Sequence, residues 1–139
     1  MIDTIFQAAK NFCNHQITLP YTTNNELAKN KTIITYIDIN TKSSRKYRIY
    51  IAGENRFIQR VSKVFLEEDE SDENTLIDMT LETANLIIGS AKVIAENENP
   101  FTIDTPHFIK VGYFNFDYDE IKIIKVQDDN LLIAIKEID

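Results

Sequence analysis

The stretch Ser71–Glu96, SDENTLIDMTLETANLIIGSAKVIAE, constrains the fold of this chain more than any other. Ile77, Leu81, Ala84, Ile88, Ala91 and Ala95 recur at alternating steps of four and three, which stacks them along one side of an α-helix. Asp78, Glu82, Asn85, Gly89, Lys92 and Glu96 recur with the same steps, about 100° further round. The stretch therefore predicts one long helix that buries the first stripe and leaves the second, polar and interrupted by a glycine, open. The rest of the chain reads as what is needed to cover the buried stripe.

Residues 2–15 predict a first amphipathic helix, with Ile2, Ile5, Phe6, Ala9, Phe12 and Cys13 on one face. Gln16–Lys31, with Pro20 and little periodicity, reads as a loop or irregular strand. Thr32–Asn40 and Lys46–Ala52 alternate as strands about a polar turn and predict a hairpin. Gly53 reads as a strand breaker. Phe57, Ile58, Val61, Val64 and Phe65 then give the apolar face of a helix over Glu54–Leu66. After the long helix, Phe101–Asp104 and Ile109–Phe116 predict strands, and Ile121–Val126 with Leu131–Ile138 predict a second hairpin. The expected fold is a single α+β domain over 1–139, an antiparallel-rich sheet with long helices packed on one face.

Composition narrows the function. A net charge of −7 argues against nucleic acid or an anionic membrane as a partner reached through bulk charge. The one local basic cluster, Lys42, Arg45, Lys46 and Arg48, reads as a solvated strand edge. The single cysteine, Cys13, lies on an apolar stripe and is expected to be a buried structural thiol. Neither a signal peptide nor a membrane span is predicted, so a cytoplasmic protein is expected.

Several chemistries lack their residues. Three glycines in the whole chain leave no phosphate-cradling loop. His15 and His107 have no Cys or His at zinc-ligand spacing. In the acidic run 67–73, EEDESDE, six of seven side chains are carboxylates, but the spaced glycine of a calcium loop is missing. Asp72 and Glu73 are explained without a metal as favourable charges at a helix start behind a Ser71 N-cap. No metal of its own is expected.

The open stripe of the long helix remains. Glu82 and Asn85 are three apart and project side by side, with Asp78 one turn before and Gly89 one turn after. Asn has poor propensity inside a helix, and Gly costs about 1 kcal/mol relative to Ala there. Two readings follow from spacing alone. These are solvated surface residues with Gly89 admitting a close helix neighbour, or they form a working surface.

The pattern D-x3-E-x2-N-x3-G, as Asp78, Glu82, Asn85 and Gly89, resembles the signature of the CheC/CheX/FliY family of chemotaxis phosphatases. The Asp72-Glu73 pair that opens the helix, Ile103-Asp104-Thr105-Pro106 after it, and the strand–helix unit Lys46–Leu66 before it also resemble that family; the likeness covers roughly residues 46–138. Thr83 and Ala84 depart from the glycine-containing spacer frequent there. In the first helix Asp3-x3-Gln7-x2-Lys10 lacks both Glu and Asn, so a single active site of CheX type is implied.

The resemblance implies hydrolysis of the aspartyl phosphate on a CheY-type response regulator. Glu82 and Asn85 would be the catalytic pair, Asp78 and Gly89 the supporting positions, and the chain a homodimer. Mg2+ is expected in the regulator and not in this chain. Asn85 would orient the attacking water without adding negative charge, and Glu82 would pair with the regulator's active-site lysine. The alternative is a non-catalytic module that docks a response regulator or a flagellar-switch partner on the same surface. A third possibility is metal-assisted chemistry through 67–73.

Overall fold

The long helix α3, Glu73–Ala95, is the centre of the packing. The structure is a computed structural model and describes residues 1–26 and 30–138. α3 lies against α1 (Ile2–Phe12), α2 (Asn55–Leu66) and one face of a seven-stranded antiparallel sheet. The strands are β1 (Tyr21–Asn24), β2 (Thr32–Thr41), β3 (Lys46–Glu54), β4 (Phe101–Ile103), β5 (His107–Gly112), β6 (Glu120–Val126) and β7 (Asp129–Ile138). They run in the order β1-β6-β7-β3-β2-β4, with β5 also paired to β2. Both expected hairpins form, with Asp38 opposite Arg48 in the first and Lys125 opposite Asn130 in the second. Between β3 and β4 the chain detours through α2 and α3. It returns on the far side of β2, so α3 spans the sheet from above. This is the expected α+β architecture.

Burial follows the alternation of the strands. Ile33, Ile37, Ile39, Ile49 and Ile51 face the helices. Ile34, Tyr50 and Ala52 face the opposite side, where they meet Phe114, Ile121, Ile123, Leu132 and Ala134. That second cluster explains one departure from expectation. β5 stops at Gly112, and residues 113–118 are not strand. Phe114 and Phe116 instead fold across the outer face and pack their rings on Tyr50, with centroids 5.3 and 5.2 Å away. Their alternation marks a lid over apolar sheet, which also needs an apolar side chain at every second position.

Gly53 does not break its strand. It pairs with Ile33 and Leu131 inside the sheet, and β3 runs on to Glu54. A Cβ there would lie 2.6 Å from Ile58 Cδ1, so the glycine makes room for α2 on the sheet. Gly53→Ala is expected to cost about 1–3 kcal/mol, the usual range for overpacking, read as a lower midpoint in denaturant unfolding. Glu54, buried at the strand end, takes hydrogen bonds from Asn130 N (2.9 Å), Asn130 Nδ2 (3.0 Å) and Asn30 Nδ2 (3.1 Å). These tie the start of α2 to β7.

The helices differ from expectation in detail. α1 is continued by a π-helical turn, Cys13–Ile17, closed by Thr18 N–H donating to Cys13 O at 2.8 Å. Cys13 is buried there, and desolvation pushes its thiol up to about 12, which makes it a poor nucleophile. In the stretch 16–31 the only strand among the described residues is β1; residues 27–29 lie outside them. In α2 the apolar face ends early. Val64 and Phe65 are 42% and 39% exposed, although Phe65 still stacks on Phe12. The N-cap of α3 is Asp72, not Ser71: Thr75 N–H donates to Asp72 Oδ1 at 2.8 Å and holds that carboxyl below the usual carboxylate range.

Candidate active site

α3 buries a broader arc than its apolar residues alone suggest. Ala84, Ile88, Ala91 and Ala95 of the expected stripe are buried, but Ile77 and Leu81 are only half-buried. Leu76, Met79, Thr80, Thr83 and Ile87 complete the buried face. The threonines are admitted because each hydroxyl donates to a carbonyl one turn back, Thr80 to Leu76 O at 2.8 Å and Thr83 to Met79 O at 2.7 Å. The arc is thus turned away from the polar stripe and leaves that stripe more open.

Asp78, Glu82 and Asn85 are all exposed on the side of α3 that faces neither sheet nor helix. Glu82 and Asn85 stand three residues apart, where Cβ atoms are about 5–6 Å from one another. Among the described residues the side-chain hydrogen bonds of α3 are those of its cap and its two buried threonines, and none involves Asp78, Glu82 or Asn85. The described ion pairs leave both carboxylates out as well. These groups carry full hydrogen-bonding capacity toward solvent.

Gly89 is not needed for packing among the described residues. Among the described residues nothing lies within 4 Å of the position its Cβ would occupy, so it does not admit a described helix neighbour. Its backbone is bare toward the outside, one turn beyond Asn85. Gly89→Ala should therefore stabilise the isolated protein by about 0.5–1 kcal/mol, seen as a higher midpoint in denaturant unfolding.

The other candidate residues are occupied or isolated. On α1, Gln7 Nε2 donates to Asn11 Oδ1 at 3.0 Å and the Lys10 ammonium sits 5.3 Å from the Phe6 ring centre, so the stripe lacking Glu and Asn serves local contacts. Along the acidic run, Asp69 pairs with Lys63 at 2.7 Å and Glu68 Oε1 accepts from Ser71 Oγ at 2.7 Å. Among the described residues no group of three or more His, Cys, Asp or Glu side chains is arranged to hold a metal. Within the basic cluster, Arg48 is bidentate to Asp38 at 2.8 and 3.0 Å and lies over the Tyr36 ring. His107 stacks on that same ring, centroids 5.1 Å apart. No described helix is long and apolar enough to cross a membrane.

An outward-facing Glu and Asn on adjacent turns, beside a bare glycine, suit a helix that is laid over another molecule. The family model described as chemotaxis phosphatase CheX matches residues 35–122, more than half of the chain. The chain belongs to the CheX family. Membership makes it a CheX-like phosphatase, a hydrolase.

The fold agrees along the whole CheX-family chain. A chemotaxis protein CheX from Vibrio vulnificus superposes with a TM-score of 0.76 at 18% identity, covering 99% of this chain and 98% of that one. A CheC-like protein from Shewanella oneidensis gives 0.76 at 15% identity, covering 97% of both. A CheX from Borrelia burgdorferi, crystallised in complex with CheY, BeF3 and Mg2+, gives 0.67 at 17% identity, again covering 97% of both. A search among curated protein sequences finds no match. Sequence reasoning located the open stripe of α3 but set its buried stripe too close to it. The missed signal was the pair Thr80 and Thr83, whose hydroxyls are satisfied inside the helix.

Proposed function

We propose that this CheX-family phosphatase hydrolyses the aspartyl phosphate of a CheY-type response regulator, with Asn85 orienting the attacking water and Glu82 anchoring α3 over the regulator's site. The observation that carries the reading is the state of α3. Glu82 and Asn85 project from it without partners among the described residues, beside a glycine with open space in front of it. The relative crystallised with CheY and Mg2+ supports the choice of partner.

The chemistry needs little from this chain. An acyl phosphate is broken by in-line attack of water, and what limits the rate is holding that water opposite the leaving carboxylate. The regulator brings the magnesium ion and lysine that balance the phosphoryl charge. A carboxamide both donates and accepts, so Asn85 can grip a water without placing a second negative charge beside the phosphate. A carboxylate at that position would repel it. Glu82, one turn back, supplies negative charge where the regulator presents its lysine. Asp78 supports the stripe, and Gly89 lets the partner's surface approach the helix backbone.

The test is the decay of a phosphorylated CheY-type regulator from the same organism with substoichiometric protein added. Many turnovers per molecule are expected. Binding without acceleration would leave a docking module on a phosphatase fold.

A further inference from the structure

Val93 is 71% exposed, the most exposed of the large hydrophobic residues on the described surface. A valine has no local reason to sit in water on a helix, where it gains nothing from packing and has lower propensity than alanine. Its position is what gives it meaning. Glu82, Leu86, Gly89 and Val93 follow one another at steps of four, three and four, so they form one ridge along α3. Gly89, open in front, lies on that ridge one turn before Val93. A surface that contacts Glu82 and crosses the bare backbone at Gly89 meets Val93 next.

Beside Val93 lies a groove of about 320 Å³ lined also by Lys92, Glu96, Pro100 and Phe101. Phe101, 3% exposed, forms its apolar floor, while Lys92 and Glu96 continue the polar stripe of Asn85 along its rim. The volume suits one or two side chains and is too small for a helix.

We propose that Val93 and this groove are a docking point for the response regulator and receive an apolar side chain next to its phosphorylation site. The inference rests on the phosphatase reading of α3. What selects this occupant over a second copy of the chain is continuity: the ridge from Glu82 to Val93 has no break, and two residues of the groove rim belong to the stripe that bears Asn85. Val93 thus sets partner affinity and has no part in the chemistry.

Ile94 provides the control. It is also exposed, at 45%, but lies about half a turn out of phase with Asn85. With the phosphorylated regulator as substrate, Val93→Ser should raise KM about fivefold, the loss of a largely buried valine contact, and leave kcat unchanged. Ile94→Ser should change neither. Titration of the regulator, followed by fluorescence, reads binding apart from turnover, and sedimentation reads the oligomeric state. Unchanged binding in Val93→Ser, or equal loss in both variants, overturns the proposal. So does a change in oligomer mass with KM unaltered, which would make the ridge a contact between copies. Val93-dependent binding without any turnover would overturn the phosphatase reading and keep the docking one; no binding by the unaltered protein would overturn both.

Discussion

Replacing Asn85 by alanine is expected to lower the turnover of phosphorylated regulator by about 100-fold or more, the scale of rate lost when a reacting group is no longer held in place. Affinity for the regulator should change little, because the carboxamide is assigned to a water and not to the partner. The loss therefore falls on kcat with KM nearly unchanged. Asn85→Asp keeps the shape, removes the donor and adds a negative charge beside the phosphoryl group, and it should be no better than alanine. The fold should not suffer. Asn85 is exposed and has no hydrogen-bond partner among the described residues, and alanine is the better helix former by about 0.5 kcal/mol. A variant that is slightly more stable and almost inactive is the signature of a residue kept for its chemistry. Stopped-flow decay, a binding titration and denaturant unfolding on one preparation check all parts of this.

Glu82→Lys is expected to act on the other parameter. An anionic anchor facing the regulator's lysine becomes a like charge, and disrupting such a desolvated pair costs at least about 2 kcal/mol, or roughly 30-fold in affinity. Glu82→Ala should lose less, since it removes attraction without adding repulsion. Both should raise KM more than they lower kcat, and both should fold normally, because substitutions at exposed positions away from special features stay within about 0.5 kcal/mol. The added positive charge has a second checkable consequence. The defect of Glu82→Lys should shrink as salt is raised, because two like charges keep their water instead of closing into a desolvated pair, and salt screens the repulsion between hydrated charges. A defect independent of salt and shared by Glu82→Ala would mean that Glu82 acts through the helix and not through the partner.

How much of this molecule can be read in its sequence depends on whether a residue's reason is local. The alternation in β2 and β3 was legible because successive side chains meet different surroundings, the helices on one face and the outer cluster on the other, and the polar stripe of α3 was legible because its period is the helix's own. Gly53 was not. The letter shows that a side chain is missing but not that Ile58 fills the space, so a residue that lets α2 settle on the sheet read as a strand breaker. Phe114 and Phe116 alternate like a strand and yet serve as a cover, because covering a pleated face demands the same spacing as being one. In α3 the polar letters of Thr80 and Thr83 hid buried positions whose hydroxyls bond back along the helix. Val64, Phe65 and Val93 are the converse, apolar letters whose exposure only the packing around them reveals. Residues in a regular period are read correctly; residues placed by a distant neighbour, and polar ones satisfied within their own helix, are not.

The most direct measurement is the decay of phosphorylated regulator followed side by side with the unaltered protein and Asn85→Ala, each at concentrations where binding is saturated. Rapid decay with the first and the regulator's own intrinsic decay with the second is the predicted result. Equal acceleration by both would contradict the assignment of the water to Asn85, and with it the central role given to the open stripe of α3.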